Sequence, residues 1–159
     1  YGNSSEAPYS EYFYVGGANT IRAFGVRSIG PGRFDGRGLG RQLDYLIQNG
    51  ETKLVGNLEY RTKLFGDLNG AVFLDAGNVW DFTDEYVEGG KFPTSLKQLV
   101  KTTALGTGVG LRYDLGFLVI RLDWGLAIHC PYDTGKSGYF NVPSFGGAHT
   151  LHFAVGYPF

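Results

Sequence analysis

The sequence of 159 residues has no Met and a single Cys, Cys130. One thiol can neither close an intrachain disulfide nor build a zinc site of several Cys, and the plainest reading of Cys130 is a neutral thiol near a strand end. No window approaches the roughly 18 consecutive apolar residues of a membrane helix, and the first residues carry no charged region followed by an apolar run. A helical membrane protein is therefore excluded. Charge of either sign is sparse: 14 Lys and Arg stand against 15 Asp and Glu, for a net charge of −1. The basic residues are scattered, so there is no surface to hold a phosphate backbone, and nucleic acid is not an expected partner. Catalytic chemistry is not visible either. His129, His149 and His152 have no nucleophile and base arranged around them and read as incidental rather than as metal ligands, so no catalytic residue, metal or cofactor is expected.

What is abundant is glycine and aromatic rings: 26 Gly, 11 Tyr, 12 Phe and 2 Trp. Turn-formers mixed with rings point to β-structure. The opening YGNSSEAPYSEYFY starts at Tyr1 in mid-pattern, as a piece of a longer chain would. From about Thr52 onward the sequence resolves into segments of about ten residues that alternate in character and are bounded by Gly, Asp, Asn or Pro. In LVGNLEYRTKL, Leu54, Leu58, Tyr60 and Leu64 share one face, and Asn57, Glu59, Arg61 and Lys63 the other. A short turn at Gly66 and Asp67 leads to GAVFLDAGNVW, with Val72, Leu74, Ala76 and Trp80 opposite Phe73, Asp75 and Gly77, so the two segments read as a hairpin. In TTALGTGVGLRY, Leu105, Thr107, Val109, Leu111 and Tyr113 face away from Ala104, Gly106, Gly108, Gly110 and Arg112. Alternate glycines imply close packing against something inside. A tight turn at Asp114 to Gly116 precedes FLVIRLDWGLAI, which sets Leu118, Ile120, Leu122, Trp124, Leu126 and Ile128 against Arg121 and Asp123. In the final TLHFAVGYPF, Leu151, Phe153, Val155, Tyr157 and Phe159 oppose His152, Ala154, Gly156 and Pro158.

Alternation alone also suits a soluble sandwich. Three features favour lipid outside: segment lengths near the roughly 9 to 11 residues that span a bilayer, rings near strand ends, and the mid-strand charges Glu59, Asp75, Arg121 and Asp123. A polar lumen accommodates those charges without unpaired burial. Long connections, about 82–101 and 129–149, alternate with turns of a few residues, the asymmetry of outer-membrane barrels. The expected class is all-β, an antiparallel transmembrane barrel. Five strands cannot close one, since small barrels begin at about eight, so further chain or another copy must supply the rest.

Residues 1–51 differ: GGANTIRAFGVRSIGPGRFDGRGLGRQLDY is dense in Gly and Arg and lacks long alternation. Arg22, Arg27, Arg33, Arg37 and Arg41 recur between glycines, which by itself suits either a solvated loop or a functional one. Here the run FYVGGANTIRAFGVRSIGPG, from Phe13 to Gly32, resembles the signature loop of the outer-membrane assembly-factor superfamily that includes BamA and TamA, the bacterial surface antigens. In that superfamily the sixth extracellular loop carries a Val/Ile-Arg-Gly-Phe/Tyr motif, matched here by Ile21, Arg22, Ala23 and Phe24. Gly16 and Gly17 precede it, and Ile29, Gly30 and Pro31 follow. Ala23 stands where the family has Gly, and its methyl requires a negative φ or some strain. NLEYR, AVFLDAGNVW, GVGLRYDLGFLVIRLDWGLA and LHFAVGYPF are similar to the superfamily in order and spacing, so the resemblance covers nearly the whole chain. The stretch LDYLIQNGETKLVGNLEYR is most similar in style to members from Bacteroidetes.

The resemblance implies that 1–51 hold the end of one strand and the long extracellular loop with its IRAF motif, and 52–159 the last five strands of a sixteen-stranded barrel. It implies an outer-membrane factor that assembles, inserts or translocates other proteins without enzymatic activity, opening its seam laterally and augmenting a substrate strand. The motif Arg of the family pairs with acidic groups on the inner wall, which assigns that role to Arg22. Alternation independently places Glu59, Asp75 and Asp123 on the lumen face, with Asp75 and Asp123 the first choices and Glu59 in support. The other reading of Asp75 and Asp123 is as merely solvated lumen charges paired with Arg61, Arg112 or Arg121. Phe153, Gly156, Tyr157 and Phe159 resemble the terminal signal by which nascent barrel strands are recognised, and Gly156 and Pro158 would weaken the seam. The implied partners are the lipid bilayer, nascent outer-membrane proteins and periplasmic accessory proteins, and an isolated piece would self-associate through its open edges. A passive pore, or the membrane anchor of a fused hydrolase, remains the alternative.

Overall fold

The computed structural model of the chain describes residues 12–36, 48–82, 87–142 and 144–156, and the side chain of Phe145 is not among the features described. The expected features at Arg37, Arg41, Tyr157, Pro158 and Phe159 lie outside these residues. The chain forms a five-stranded antiparallel sheet in sequence order: β1 (Thr52–Phe65), β2 (Leu68–Trp80), β3 (Ala104–Asp114), β4 (Val119–His129) and β5 (His149–Gly156). β1 and β2 are joined at Gly66 and Asp67, and β3 and β4 through 115–118. Gly66 takes φ +53°, the left-handed conformation that a two-residue hairpin turn demands. The longer connections leave from the opposite end, and 12–36 also lies on that side, with Phe13 bridging Gly50 just before β1.

Register fixes which residues look the same way. Tyr60, Val72, Val109 and Trp124 stand abreast across four strands, as do Leu58, Leu74, Thr107 and Leu126, and one strand face continues through Leu122 and Phe153. This apolar face is the open one: Leu58, Tyr60, Phe65, Leu151 and Phe153 are all strongly exposed. The other face holds Asp75, Arg112 and Asp123, which are buried. That inverts the arrangement of a soluble sheet, whose polar face meets water. Rings gather toward the strand ends, at Phe65, Tyr113 and Phe117 by the short turns and at Phe82 beyond β2.

What covers the charged face is the chain's own segment 12–36. Val15, Ile21, Ala23, Phe24 and Ile29 form one apolar cluster with Val79, Ala104, Ala127, Cys130, Tyr132 and Ala148. Cys130 is buried in that cluster, directly after β4.

Two expectations are corrected. The connection after β2 is not all loop: Leu96–Thr102 forms a short helix, α1, begun by Ser95, whose side chain accepts from the Gln98 N–H. Trp80 shares its strand face with Val72 and Leu74 but is fully buried. Its indole Nε1 donates to Thr102 Oγ1 at 3.2 Å, and its ring meets Phe92 edge-on with centroids 5.4 Å apart. The connection folds back over the end of β2, which periodicity along the strand cannot reveal.

Candidate functional site

Segment 12–36 is shaped for close approach. Gly16 has φ +99°, and a Cβ there would run into the carbonyl of Gly25. Thr20 Oγ1 donates to the Gly16 carbonyl at 2.9 Å, and Gly17 N–H to the Phe24 carbonyl at 2.8 Å. These bonds close a compact turn with Ile21, Arg22 and Ala23 at its tip. Arg27, with φ 53°, is the described non-glycine residue in the left-handed region, and its guanidinium lies 4.5 Å from the centre of the Tyr14 ring. Ala23 thus keeps a negative φ.

Arg22 is bound through both its side chain and its backbone. Its Nε donates to Asp75 Oδ2 at 2.8 Å, its Nη2 to Asp75 Oδ1 at 2.7 Å, and its backbone N–H to Asp75 Oδ2 at 3.0 Å. The remaining terminal nitrogen, Nη1, pairs with Glu59 Oε2. The guanidinium carbon sits 3.6 Å from the centre of the Phe73 ring. A two-toothed Arg–carboxylate pair on an aromatic face, with Asp75 wholly buried, is a geometry that Lys cannot reproduce. Burial works against the charge on Arg22, but hydrogen bonds to Asp75 and Glu59, together with their charges, outweigh it and raise its pKa above the ordinary value.

Charge continues outward from this pair. Glu59 also accepts from Arg112 Nη2 at 3.1 Å and Arg61 Nε at 2.6 Å. Arg112 Nη1 lies 2.6 Å from Asp123 Oδ1, and Arg121 Nε lies 3.0 Å from Asp123 Oδ2. Those last contacts are ionic, close in distance but off the hydrogen-bond direction. The direct partners of Arg22 are therefore Asp75 and Glu59. Asp123 pairs instead with Arg112 and Arg121, two of the partners the alternative reading named, but it is buried rather than solvated, and it reaches Arg22 only through Arg112 and Glu59. The reason is lateral distance in the sheet: Asp75 and Glu59 lie on the adjacent strands β2 and β1, whereas Asp123 is on β4.

Several contacts were not legible in the sequence. Asn57 Nδ2 donates to the Thr20 carbonyl at 2.5 Å and to Asp75 Oδ1 at 2.8 Å. Arg121 Nη2 donates to the Ala18 carbonyl at 2.6 Å and to Asn19 Oδ1 at 3.1 Å. Thr150 Oγ1 and His152 Nε2 both point at the Arg22 carbonyl oxygen, at 2.5 and 2.9 Å. His152 is thus part of the site, while His129 stands apart between the carbonyls of Tyr139 and Lys101. The alternate glycines of β3 acquire named neighbours: a Cβ on Gly106 would strike the Ala23 methyl, one on Gly108 the Phe73 ring, and one on Gly110 the Asp123 and Arg112 side chains. Gly125 of β4 similarly leaves room for the Arg22 carbonyl and Ala23 Cα. The alternate glycines of β3 were the sequence signal of close packing there, and they could not say what fills the space. Phe153 lies on the open face and Gly156 ends β5.

Nothing in this constellation pairs a nucleophile with a base. It is a mechanical fastening, in which a folded loop tip is clamped by charge onto one face of a sheet whose other face is apolar and open. The superfamily model described as the Omp85 superfamily domain matches residues 1–159, the full chain. The outer-membrane proteins of this superfamily serve protein assembly and translocation in bacteria. With a match over its entire length, this chain belongs to the Omp85 superfamily.

Proposed function

We propose that the chain is the carboxy-terminal part of an outer-membrane barrel that inserts or translocates other proteins, without enzymatic chemistry of its own. It acts by opening the seam beside its last strand and offering that edge to a substrate strand by β-augmentation. The observation that carries this reading is the fastening of Arg22 by Asp75 and Glu59 on the charged face of a sheet whose other face is apolar and open. A passive pore conducts without a lumen-anchored loop, so the clamp is a feature that the assembly reading calls for and a pore does not require. Open apolar side chains on the opposite face suit a lipid bilayer as the outer partner. Nascent outer-membrane proteins are the proposed substrates, with periplasmic accessory proteins as co-workers.

The test is a double-mutant cycle in the full-length protein: Arg22→Ala, Asp75→Ala and both together, scored for assembly of a reporter porin in cells and for protease protection of the loop in native outer membranes. If the pair acts as a unit, each single change exposes the loop and slows assembly, and the double is no worse than either single. Normal assembly in cells carrying Arg22→Ala, with the loop exposed, would remove the assembly reading.

A further inference from the structure

Arg22 is gripped from two opposite sides of the sheet. Its backbone N–H and guanidinium are taken by Asp75 of β2 and Glu59 of β1. Its carbonyl oxygen accepts from Thr150 Oγ1 at 2.5 Å and from His152 Nε2 at 2.9 Å, both on β5. Between these grips the Arg22 peptide crosses β4 at Gly125, where a Cβ would collide with that same carbonyl. One residue therefore bridges the first two strands and the last, across intervening strands that separate them in the sheet. β5 has β4 on one side and, among the described residues, no strand on the other.

We propose that Thr150 and His152 are positioning residues that fasten the last strand to the loop tip, making Arg22 a brace that couples the hold of Asp75 on β2 to the hold of β4 on β5. The inference rests on the assembly reading only for its purpose, which is to restrain the seam strand until a substrate displaces it. Two side-chain donors on one carbonyl give a fastening weak enough to be undone, each bond holding far less than the charged grip on the other side. The carbonyl is the part that parts first. Loss of β5 from the wall then frees the carbonyl end of Arg22 while Asp75 keeps the guanidinium, so the strand can leave without expelling the loop. In the other direction, release of the guanidinium removes the anchor against which Thr150 and His152 pull.

The experiment is hydrogen exchange on the full-length protein in lipid nanodiscs, following backbone amides of β5 and of β1. Thr150→Val with His152→Leu removes both donors, and the amides of β5 are expected to exchange on the order of tenfold faster or more, with those of β1 unchanged. Asp75→Asn, three strands away from β5, is expected to accelerate β5 as well. Thr150→Ser with His152→Gln retains donors at both positions and is expected to restore protection, which separates positioning from simple loss of packing. The brace is overturned if Asp75→Asn exposes the loop yet leaves β5 exchange at its original rate, or if removing both donors changes nothing in β5. Assembly is scored separately on the same variants. Faster β5 exchange with normal assembly keeps the brace and removes the assembly reading, whereas impaired assembly in Asp75→Asn with β5 exchange unchanged does the reverse.

Discussion

Arg22 shows how one side chain can be fixed from every direction at once. Its guanidinium has a carboxylate in the plane of its fork, a second carboxylate at its remaining terminal nitrogen and a phenyl ring on its face. Removing it leaves the buried Asp75 without a cation, while Glu59 keeps Arg61 and Arg112, and breaking a buried pair in this way costs about 3 to 5 kcal/mol. Arg22→Ala should therefore lower the denaturant midpoint of the folded barrel and open the loop to protease. Arg22→Lys should recover only part of the loss, because an ammonium supplies a point charge and not a fork. A second residue-scale prediction concerns the Ala23 methyl, which rests against Gly106. Gly106→Ala should destabilise by about 1 to 3 kcal/mol through overpacking, and Ala23→Gly in the same molecule should restore most of it. If thermal melting shows the two changes to be additive, the two positions are not in contact.

On the scale of strands, alternation was readable and correct for most of the chain because the period of two is intrinsic to an extended backbone. Val109, Leu122 and Trp124 lie on the open face as the pattern requires, and Asp75, Arg112 and Asp123 on the covered one. It follows that Val109→Arg, near the middle of β3 and on the open face, should cost about 2 to 4 kcal/mol in a bilayer, read as loss of the folded band in a heat-modifiability gel. An unchanged folded fraction would argue that this face does not meet lipid. Trp80 broke the pattern at the end of β2, where its neighbours are Phe92 and Thr102 rather than solvent or lipid. Local periodicity does not register that kind of burial, since the covering residues come from the connection to β3. The helix α1 was missed for a similar reason: seven residues are too few to display a helical period among the apolar positions of a loop.

The whole molecule is a sheet with two open edges, the outer sides of β1 and β5, and neither has a partner strand among the described residues. Unpaired edges of this length are templates for association. The isolated chain in detergent should therefore form concentration-dependent oligomers, detectable by sedimentation velocity, and a strictly monomeric species across a hundredfold dilution would contradict that expectation. The sequence by itself determined the strands, their two faces, the short and long connections and the residues that offer charge, because each of these depends on a few neighbouring positions. The motif around Arg22 and the order of the strand segments also carried the resemblance to the superfamily. Only the tertiary structure decided which acid Arg22 takes, that Asp123 serves Arg112 and Arg121, and that Thr150 and His152 meet the Arg22 carbonyl. Those choices turn on lateral distance between strands and on where a loop tip comes to rest, and both are set by the assembled sheet rather than by any stretch of chain.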